Sequence, residues 1–156
     1  MKINLVTVGT RMPSWVEEGI AEYSKRLPAE FALSVTEVPL GKRGKGLDVT
    51  QAMRKESDAL LARVRPGDHV IALDVEGKTL STEAMAKRVD AIRMEGHNIV
   101  LFVGGPDGLD AACLERADEK WSLSALTLPH PLVRILVAEQ IYRVWSILNA
   151  HPYHRA

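Results

Sequence analysis

The chain has 156 residues and a mass of 17.2 kDa, which suffices for one domain with a single continuous core. Hydrophobic residues make up 46% and charged residues 26% of the sequence, a balance that excludes a disordered or collagen-like chain. The 20 basic and 20 acidic residues cancel, so bulk charge does not favour a generic basic nucleic-acid binder. The charges are unevenly spread, because basic residues prevail in 1–65 and 121–156 and acidic residues prevail in 66–120.

The sequence carries one cysteine, Cys113, which excludes a disulfide within the chain and a metal site built from cysteines. No apolar run approaches the ~20 residues that a membrane helix needs. The apolar stretch 3–8 is followed by Arg11 and lacks a small-residue cleavage site, so it predicts a first strand and not a signal peptide. We therefore expect a cytoplasmic protein that does not enter a membrane.

Strand and helix patterns alternate along the whole sequence. The predicted strands are 2–8, 33–38, 69–75, 98–103 and 121–128. The predicted helices are 14–26, 48–64, 82–95, 109–119 and 132–148. This alternation indicates an α/β fold in which right-handed crossovers build a mostly parallel sheet with helices on both faces. Since no linker or repeat interrupts the pattern, residues 1–156 are predicted to form one domain.

Glycine, proline and charged residues are concentrated in the loops that follow the predicted strands. These loops are 39–46, 76–78, 104–108 and 129–131. Ligands of open parallel sheets bind beyond the carboxyl ends of the strands. The sequence therefore predicts a ligand site at this edge of the sheet.

The loop at 41–46 combines three glycines with the cations Lys42, Arg43 and Lys45. Glycine lets the backbone approach a ligand closely, and the cations neutralise phosphate. The spacing differs from that of a P-loop. The loop is interpreted either as a contact for a phosphate backbone or as a mobile surface loop.

Two other segments have the composition of a cofactor site. The turn at 104–108 follows a buried strand and precedes a helix, as a nucleotide-binding turn does, although a plain tight turn has the same composition. Small and hydroxyl residues interrupt the strand at 123–128, which leaves backbone groups free to bind a flat ring such as adenine. The alternative for 123–131 is an edge strand with a stiff exit turn.

The helix predicted at 132–148 is apolar around most of its circumference, which is typical of a helix buried in the domain or in an oligomer. Because the chain has only two phenylalanines, we expect a subunit interface to bury it. Arg134 lies on the apolar side, opposite the polar stripe of Glu139, Gln140 and Arg143. It needs an anionic partner there, or it extends to solvent from the end of the helix.

The residues after this helix include Tyr153, His154 and Arg155. Histidine exchanges protons near neutral pH, tyrosine stacks or hydrogen-bonds, and arginine holds phosphate. The alternative is a frayed terminus. No histidine pair with metal-ligand spacing occurs, so no metal is expected.

Taken together, four segments resemble the bacterial ribosomal RNA large subunit methyltransferase H family. They are 41–45, 103–109, 121–130 and 151–155, and the similarity extends from residue 6 through essentially the whole chain. The resemblance implies a SPOUT-class enzyme with a C-terminal trefoil knot, active as a homodimer. It also implies methyl transfer from S-adenosylmethionine to N3 of a pseudouridine in 23S ribosomal RNA within the assembled ribosome.

The resemblance also implies roles for individual residues. The implied cofactor contacts are Leu73, Gly104, Leu123, Ser124, Ala125, Leu126, Thr127 and Leu128. For the implied reaction, His154 is the best candidate for the base, and Arg143, Tyr153 and Arg155 are candidates to orient the target or stabilise its charge. The expected substrate contacts are Lys42, Arg43, Lys45, His130 and Arg134.

Without the resemblance, other functions remain open. A non-catalytic ribosome- or RNA-binding module would use the basic loop and the tail as a clamp. A methyltransferase acting on transfer RNA would share the fold and the cofactor. A hydrolase is disfavoured, because the sequence has neither a nucleophile elbow nor a catalytic carboxylate pair.

Overall fold

The computed structural model describes residues 1–155. The strands are β1 (Lys2–Val8), β2 (Ala32–Val38), β3 (His69–Thr79), β4 (Ile99–Val103) and β5 (Glu119–Ser122). The helices are α1 (Ser14–Ser24), α2 (Val49–Leu61), α3 (Thr82–Met94), α4 (Ala111–Arg116) and α5 (His130–Leu148), and a 3-10 turn (Ala29–Phe31) precedes β2.

The five strands form one parallel sheet in the order β2-β1-β4-β3-β5, as the alternation of strands and helices predicts. Every residue of β4 is buried, which explains its uninterrupted apolar sequence. Because all strands run the same way, the loops after β1, β3, β4 and β5 meet at the carboxyl edge of the sheet.

Helices cover both faces of the sheet, which confirms the predicted α/β architecture. Helices α3 and α5 bury Val89 and Val137 against one face, together with Leu5 of β1. Helices α2 and α4 bury Leu60 and Cys113 against the other face. Within residues 1–155, no helix is long and apolar enough to cross a membrane.

The end of the last strand differs from the prediction. Strand β5 ends at Ser122 and not at 128, because local hydrogen bonds replace the sheet ladder there. The Ser122 hydroxyl donates to the Ser124 carbonyl oxygen at 3.1 Å, and the Leu126 backbone N–H donates to the Ser124 hydroxyl at 2.9 Å. Helix α5 then begins at His130, two residues before the predicted start, with Pro131 in its first turn.

Strand β3 is longer than predicted and irregular. Trp121 of β5 pairs with Leu73 and again with Lys78, so residues 74–77 bulge out of the ladder. A Cβ at Gly77 would lie 2.7 Å from the backbone of Trp121, so only glycine permits this close approach. The bulge brings 74–75 to the edge where the ligand site is predicted.

The chain's own core buries most of the apolar surface of α5. Val137, Ala138, Ile141 and Val144 are at most 4% exposed within the single chain. The expectation that a subunit interface buries the helix is therefore wrong for these residues. It remains open for the outer face, where Leu132 and Leu136 are exposed.

Candidate active site

A cavity of about 220 Å³ opens at the carboxyl ends of β3, β4 and β5. Six of the eight predicted cofactor contacts line it. They are Leu73, Gly104, Leu123, Ser124, Leu126 and Leu128. The other two, Ala125 and Thr127, lie in the same loop with exposed side chains. The predicted residues are thus brought together by the sheet edge and one loop.

The lining of the cavity is apolar and poor in charge. Leucine and valine side chains and the backbone of Gly104 and Gly105 form most of the wall. Asp74, in the β3 bulge, is the one acidic residue of the lining. Its position depends on the bulge, so the pattern of apolar residues in β3 could not reveal it.

The loop between β5 and α5 presents free backbone donors beside the cavity. The N–H groups of Ala125, Thr127 and Leu128 make no backbone–backbone hydrogen bond within residues 1–155. Free N–H groups next to leucine side chains suit a flat heterocycle that has acceptor nitrogens at its edge. This agrees with the ring-binding interpretation of 123–128.

The turn after β4 is held together by its own backbone. The Gly108 N–H donates to the Gly105 carbonyl oxygen at 3.0 Å, and Gly108 adopts φ +79°. A Cβ at Gly104 would lie 2.5 Å from the carbonyl carbon of Gly108. Glycine is therefore required at 104 by the turn itself, and a larger residue there would distort the turn before it touched a ligand.

Arg43 connects the basic loop to this turn. Its Nε donates to Asp107 Oδ2 at 2.8 Å and its Nη1 donates to Glu56 Oε2 at 2.5 Å. Both hydrogen bonds raise the pKa of the guanidinium, and the bond to Glu56 has a larger effect than the bond to Asp107. Lys42 and Lys45 are exposed. Of the three predicted phosphate contacts, these two lysines project to solvent, while Arg43 holds the loop in place.

His130 lies where the cavity meets the end of β1. Its Nε2 donates to the Val8 carbonyl oxygen at 2.5 Å, while its Nδ1 is buried and has no partner within the described chain. Burial, together with the nearby positive charge of Arg134, lowers the pKa of the imidazole. His130 thus lines the cavity, and its lowered pKa favours the neutral imidazole.

Arg134 is 1% exposed and finds the anionic partner that its position on α5 requires. Its Nη1 donates to Glu37 Oε2 at 2.5 Å, and its Nη2 donates to the Gly9 carbonyl oxygen at 2.9 Å. The guanidinium does not line the cavity. In this chain Arg134 joins α5 to the ends of β1 and β2.

Three of the predicted catalytic residues form one cluster where the segment after α5 folds back on that helix. The Tyr153 hydroxyl donates to Glu139 Oε1 at 3.0 Å, and the Arg143 guanidinium lies 4.8 Å from the centre of the Tyr153 ring. Arg143 Nε donates to the same carboxylate oxygen at 2.8 Å, and this hydrogen bond raises the pKa of Arg143. Arg155 is exposed and lies outside the cluster.

His154 completes this cluster, with both ring nitrogens in contact. Nδ1 lies 3.2 Å from Nη1 of Arg143, and Nε2 lies 3.0 Å from Oε1 of Glu83. Since a guanidinium only donates, Nδ1 accepts and Nε2 carries the proton. We refer to Arg143, Tyr153, His154 and Glu139 as the tail cluster.

The tail cluster and the cavity are separate in a single chain. None of Arg143, Tyr153, His154 and Arg155 lines the cavity. His130 at the cavity and Arg143 are 13 residues apart on one helix, a distance of about 20 Å at 1.5 Å per residue.

Comparisons with known proteins identify the family. A protein-family model with the description "Predicted SPOUT methyltransferase" matches residues 1–154. The chain belongs to the SPOUT methyltransferase family. Proteins named ribosomal RNA large subunit methyltransferase H are 54% identical in Marinomonas sp. (strain MWYL1) and in Pseudomonas paraeruginosa and 52% identical in Pseudomonas putida (strain F1), each over 99% of this chain and 100% of the relative.

A solved structure supports the SPOUT family fold. It is a probable methylase family protein from Haemophilus influenzae Rd KW20, with a TM-score of 0.56 and 16% identity. The match covers 97% of this chain and 67% of that chain. At this identity the likeness shows the fold alone. The trefoil knot implied by the family resemblance stays a prediction.

The lining of the cavity suits the chemistry of an adenosyl group, which is part of the methyl donor that membership of the SPOUT methyltransferase family implies. An adenosyl group has one flat apolar ring system with acceptor nitrogens, and the cavity supplies leucine walls beside free N–H donors. The cavity therefore has the chemistry to hold S-adenosylmethionine.

Sequence analysis missed two acidic residues at or beside the cavity. Glu56 is 3% exposed, and its carboxylate accepts hydrogen bonds from the Gly41 N–H and from the Arg43 guanidinium. It lies 13 residues from Arg43 in the sequence. Asp74 reaches the cavity only through the bulge. Neither residue has a local signal, because the partner or the position of each is set by the tertiary structure.

Proposed function

We propose that this SPOUT protein transfers a methyl group from S-adenosylmethionine to N3 of a pseudouridine in 23S ribosomal RNA within the assembled ribosome. The names of its relatives at 52–54% identity support ribosomal RNA as the substrate. The pseudouridine and the ribosome come from the family resemblance of the sequence.

The cavity at the carboxyl edge is the observation that carries this proposal. Leu73, Leu123 and Leu128 would hold the adenosyl group, and the free N–H groups of 125, 127 and 128 would bind its ring nitrogens. When bound, S-adenosylmethionine supplies a methyl group activated by a positively charged sulfur. Asp74, the one acidic side chain of the wall, would attract that positive charge.

The tail cluster supplies the groups that the target base needs. Methyl transfer is a displacement in line with the sulfur–carbon bond, so the protein contributes alignment and removal of the N3 proton. Arg143 carries a fixed positive charge that would stabilise the deprotonated base. His154 can accept the proton at Nδ1 once the base displaces Arg143 from that nitrogen.

The separation of the tail cluster from the cavity in a single chain favours a homodimer in this proposal. In a dimer, the tail cluster of a second copy would reach the cavity, which the tail cluster of the same chain does not line. The exposed Leu132 and Leu136 offer an apolar stripe on α5 for that contact. Burial of such a stripe is typical of permanent dimer interfaces.

A comparison of substrates tests the proposed reaction. We expect transfer of a labelled methyl group from S-adenosylmethionine to assembled ribosomes and much less transfer to free 23S RNA or to transfer RNA. Preferred methylation of transfer RNA would contradict the substrate. If the protein binds ribosomes but shows no affinity for S-adenosylmethionine in calorimetry, it is a non-catalytic binding module.

Sedimentation tests the proposed homodimer. The double variant Leu132→Glu/Leu136→Glu should convert the protein to a monomer, because burial of a charged side chain at either position is unfavourable. The matched control is Met94→Glu, at an apolar position on α3 that is also exposed. The control should remain dimeric. A parent protein that sediments as a monomer at micromolar concentration contradicts the dimer.

A further inference from the structure

A polar groove of about 370 Å³ lies at the amino edge of the sheet, opposite the cavity. The first residues of β1 and β4 and the segment 62–68 after α2 form most of its walls. The five residues of β4 separate this edge from the carboxyl edge by about 17 Å at 3.3 Å per residue. No residue lines both the groove and the cavity.

The charges of the groove are predominantly positive and are not paired. Lys2, Arg63 and Arg65 line it with exposed side chains. None of the three is in an ion pair within residues 1–155. Asp68 is the one carboxylate of the lining, and its Oδ2 accepts the Arg65 backbone N–H at 2.8 Å. The groove therefore offers three free cations and a partly occupied carboxylate.

The uncharged side chains add donors and few acceptors. Asn4 Oδ1 accepts from the hydroxyls of Ser34 at 3.2 Å and Thr36 at 3.0 Å. Asn98 Oδ1 accepts from the Lys2 backbone N–H at 2.8 Å. With both amide oxygens occupied, the NH₂ groups of Asn4 and Asn98 remain as donors at the groove. Free cations beside free amide donors select an oxyanion.

We propose that this groove binds the phosphodiester backbone of RNA, as a second contact remote from the methylated base. The inference rests on the proposed function and extends it to a new surface. All three cations are exposed and surround an open groove, so they cannot enclose and desolvate a small anion. They can neutralise successive phosphates of a polyanion.

The salt dependence of RNA binding tests the groove. The double variant Arg63→Gln/Arg65→Gln is compared with Lys25→Gln/Lys87→Gln, which removes two exposed lysines elsewhere and changes the net charge equally. Binding to 23S RNA is measured without cofactor at several salt concentrations. Loss of two phosphate contacts should reduce the slope of log K against log salt by about 1.4 to 1.8, and the control should leave it unchanged.

A second variant tests the groove without altering its fold. Asn98→Asp keeps the acceptor for the Lys2 N–H and replaces the NH₂ donor by a negative charge. It should weaken RNA binding while the free energy of unfolding remains near that of the parent. Cofactor affinity, measured by calorimetry, should not change in either groove variant, because no groove residue lines the cavity.

Three results would overturn the RNA groove. The first is an unchanged salt slope in the double variant, and the second is an equal decrease of that slope in the lysine control. The third is a saturable effect of inorganic phosphate on the Asn4 and Asn98 amide resonances, together with an unchanged salt slope for RNA binding. A reduced slope supports the groove even when the parent transfers no methyl group. Such a missing transfer would contradict the proposed function alone.

Discussion

Arg43 Nη1 lies 2.5 Å from Oε2 of Glu56, a carboxylate that is 3% exposed. The same carboxylate oxygen accepts the Gly41 N–H at 2.9 Å, and Arg43 also binds Asp107 in the turn after β4. One buried charge on α2 thus fixes the start of the basic loop and, through Arg43, the glycine turn of the cavity.

Glu56→Gln should destabilise the protein and loosen the turn. The amide oxygen of glutamine still accepts the Gly41 N–H, but the charge opposite Arg43 is lost. Removal of one partner from a fully buried ion pair costs about 3–5 kcal/mol. We expect about 2 kcal/mol here by urea unfolding, because Arg43 is 20% exposed and can turn to water.

Cofactor binding separates this role from general stability. Affinity for S-adenosylmethionine should fall in Glu56→Gln and in Arg43→Gln, which both release the turn. It should be unchanged in Lys42→Gln, whose side chain is exposed beside them. Equal affinity in all three variants would mean that the ion pair between Glu56 and Arg43 does not position the turn.

Asp74→Asn should discriminate between charged and neutral ligands. A single carboxylate near a bound cation contributes about 0.5–1 kcal/mol when it is partly exposed. Affinity for S-adenosylmethionine should therefore drop by about threefold, whereas affinity for S-adenosylhomocysteine, which lacks the positive charge, should stay constant. Calorimetry with both ligands measures the difference, and an equal loss for both would indicate a steric effect.

The stability of the protein should decrease as the pH falls below about 6.5, the ordinary pKa of histidine. Burial, with the charge of Arg134, lowers the pKa of folded His130, so the unfolded chain binds more protons in this range. At pH 7.5 His130 is neutral in both the folded and the unfolded chain, so its full contribution to the free energy of unfolding is present there.

His130→Gln tests this pH dependence. Its free energy of unfolding should change less between pH 7.5 and 5.5 than that of the parent, since glutamine does not titrate. His97→Gln, at an exposed histidine, serves as the control and should keep the dependence of the parent. The same slope in His130→Gln and the parent would contradict the role of His130.

His154→Ala should lower the single-turnover rate of methyl transfer without changing cofactor affinity. The tail cluster does not line the cavity, so the ligand site remains intact. Loss of a general base typically reduces the rate by 10²–10⁴-fold. If the rate matches that of the parent, Arg143 is the residue that activates the base, by charge.

Tyr153→Phe provides a milder control within the same cluster. It removes the hydroxyl that donates to Glu139 and keeps the ring below the Arg143 guanidinium. A smaller effect on the rate than that of His154→Ala is expected. A larger effect would assign proton transfer to the tyrosine.

The order and type of the main elements could be predicted from the sequence. Apolar runs in β1 and β4 and the loop residues between them already indicate a parallel sheet with a ligand edge. The same patterns located the cavity-lining residues Gly104 and Leu123, whereas Leu73 was predicted from the family resemblance alone. Local composition suffices for these features because strand direction alone brings the loops together.

Other features depended on contacts between distant segments. The ends of β5 and β3 were mispredicted, because hydrogen bonds of Ser124 and the shifted pairing at Trp121 compete with the regular ladder. The partners of Arg43 and Arg134 lie 13 and 97 residues away, so no local pattern identifies them. No residue of the tail cluster lines the cavity, and only the tertiary structure shows that one chain keeps these two groups of residues apart.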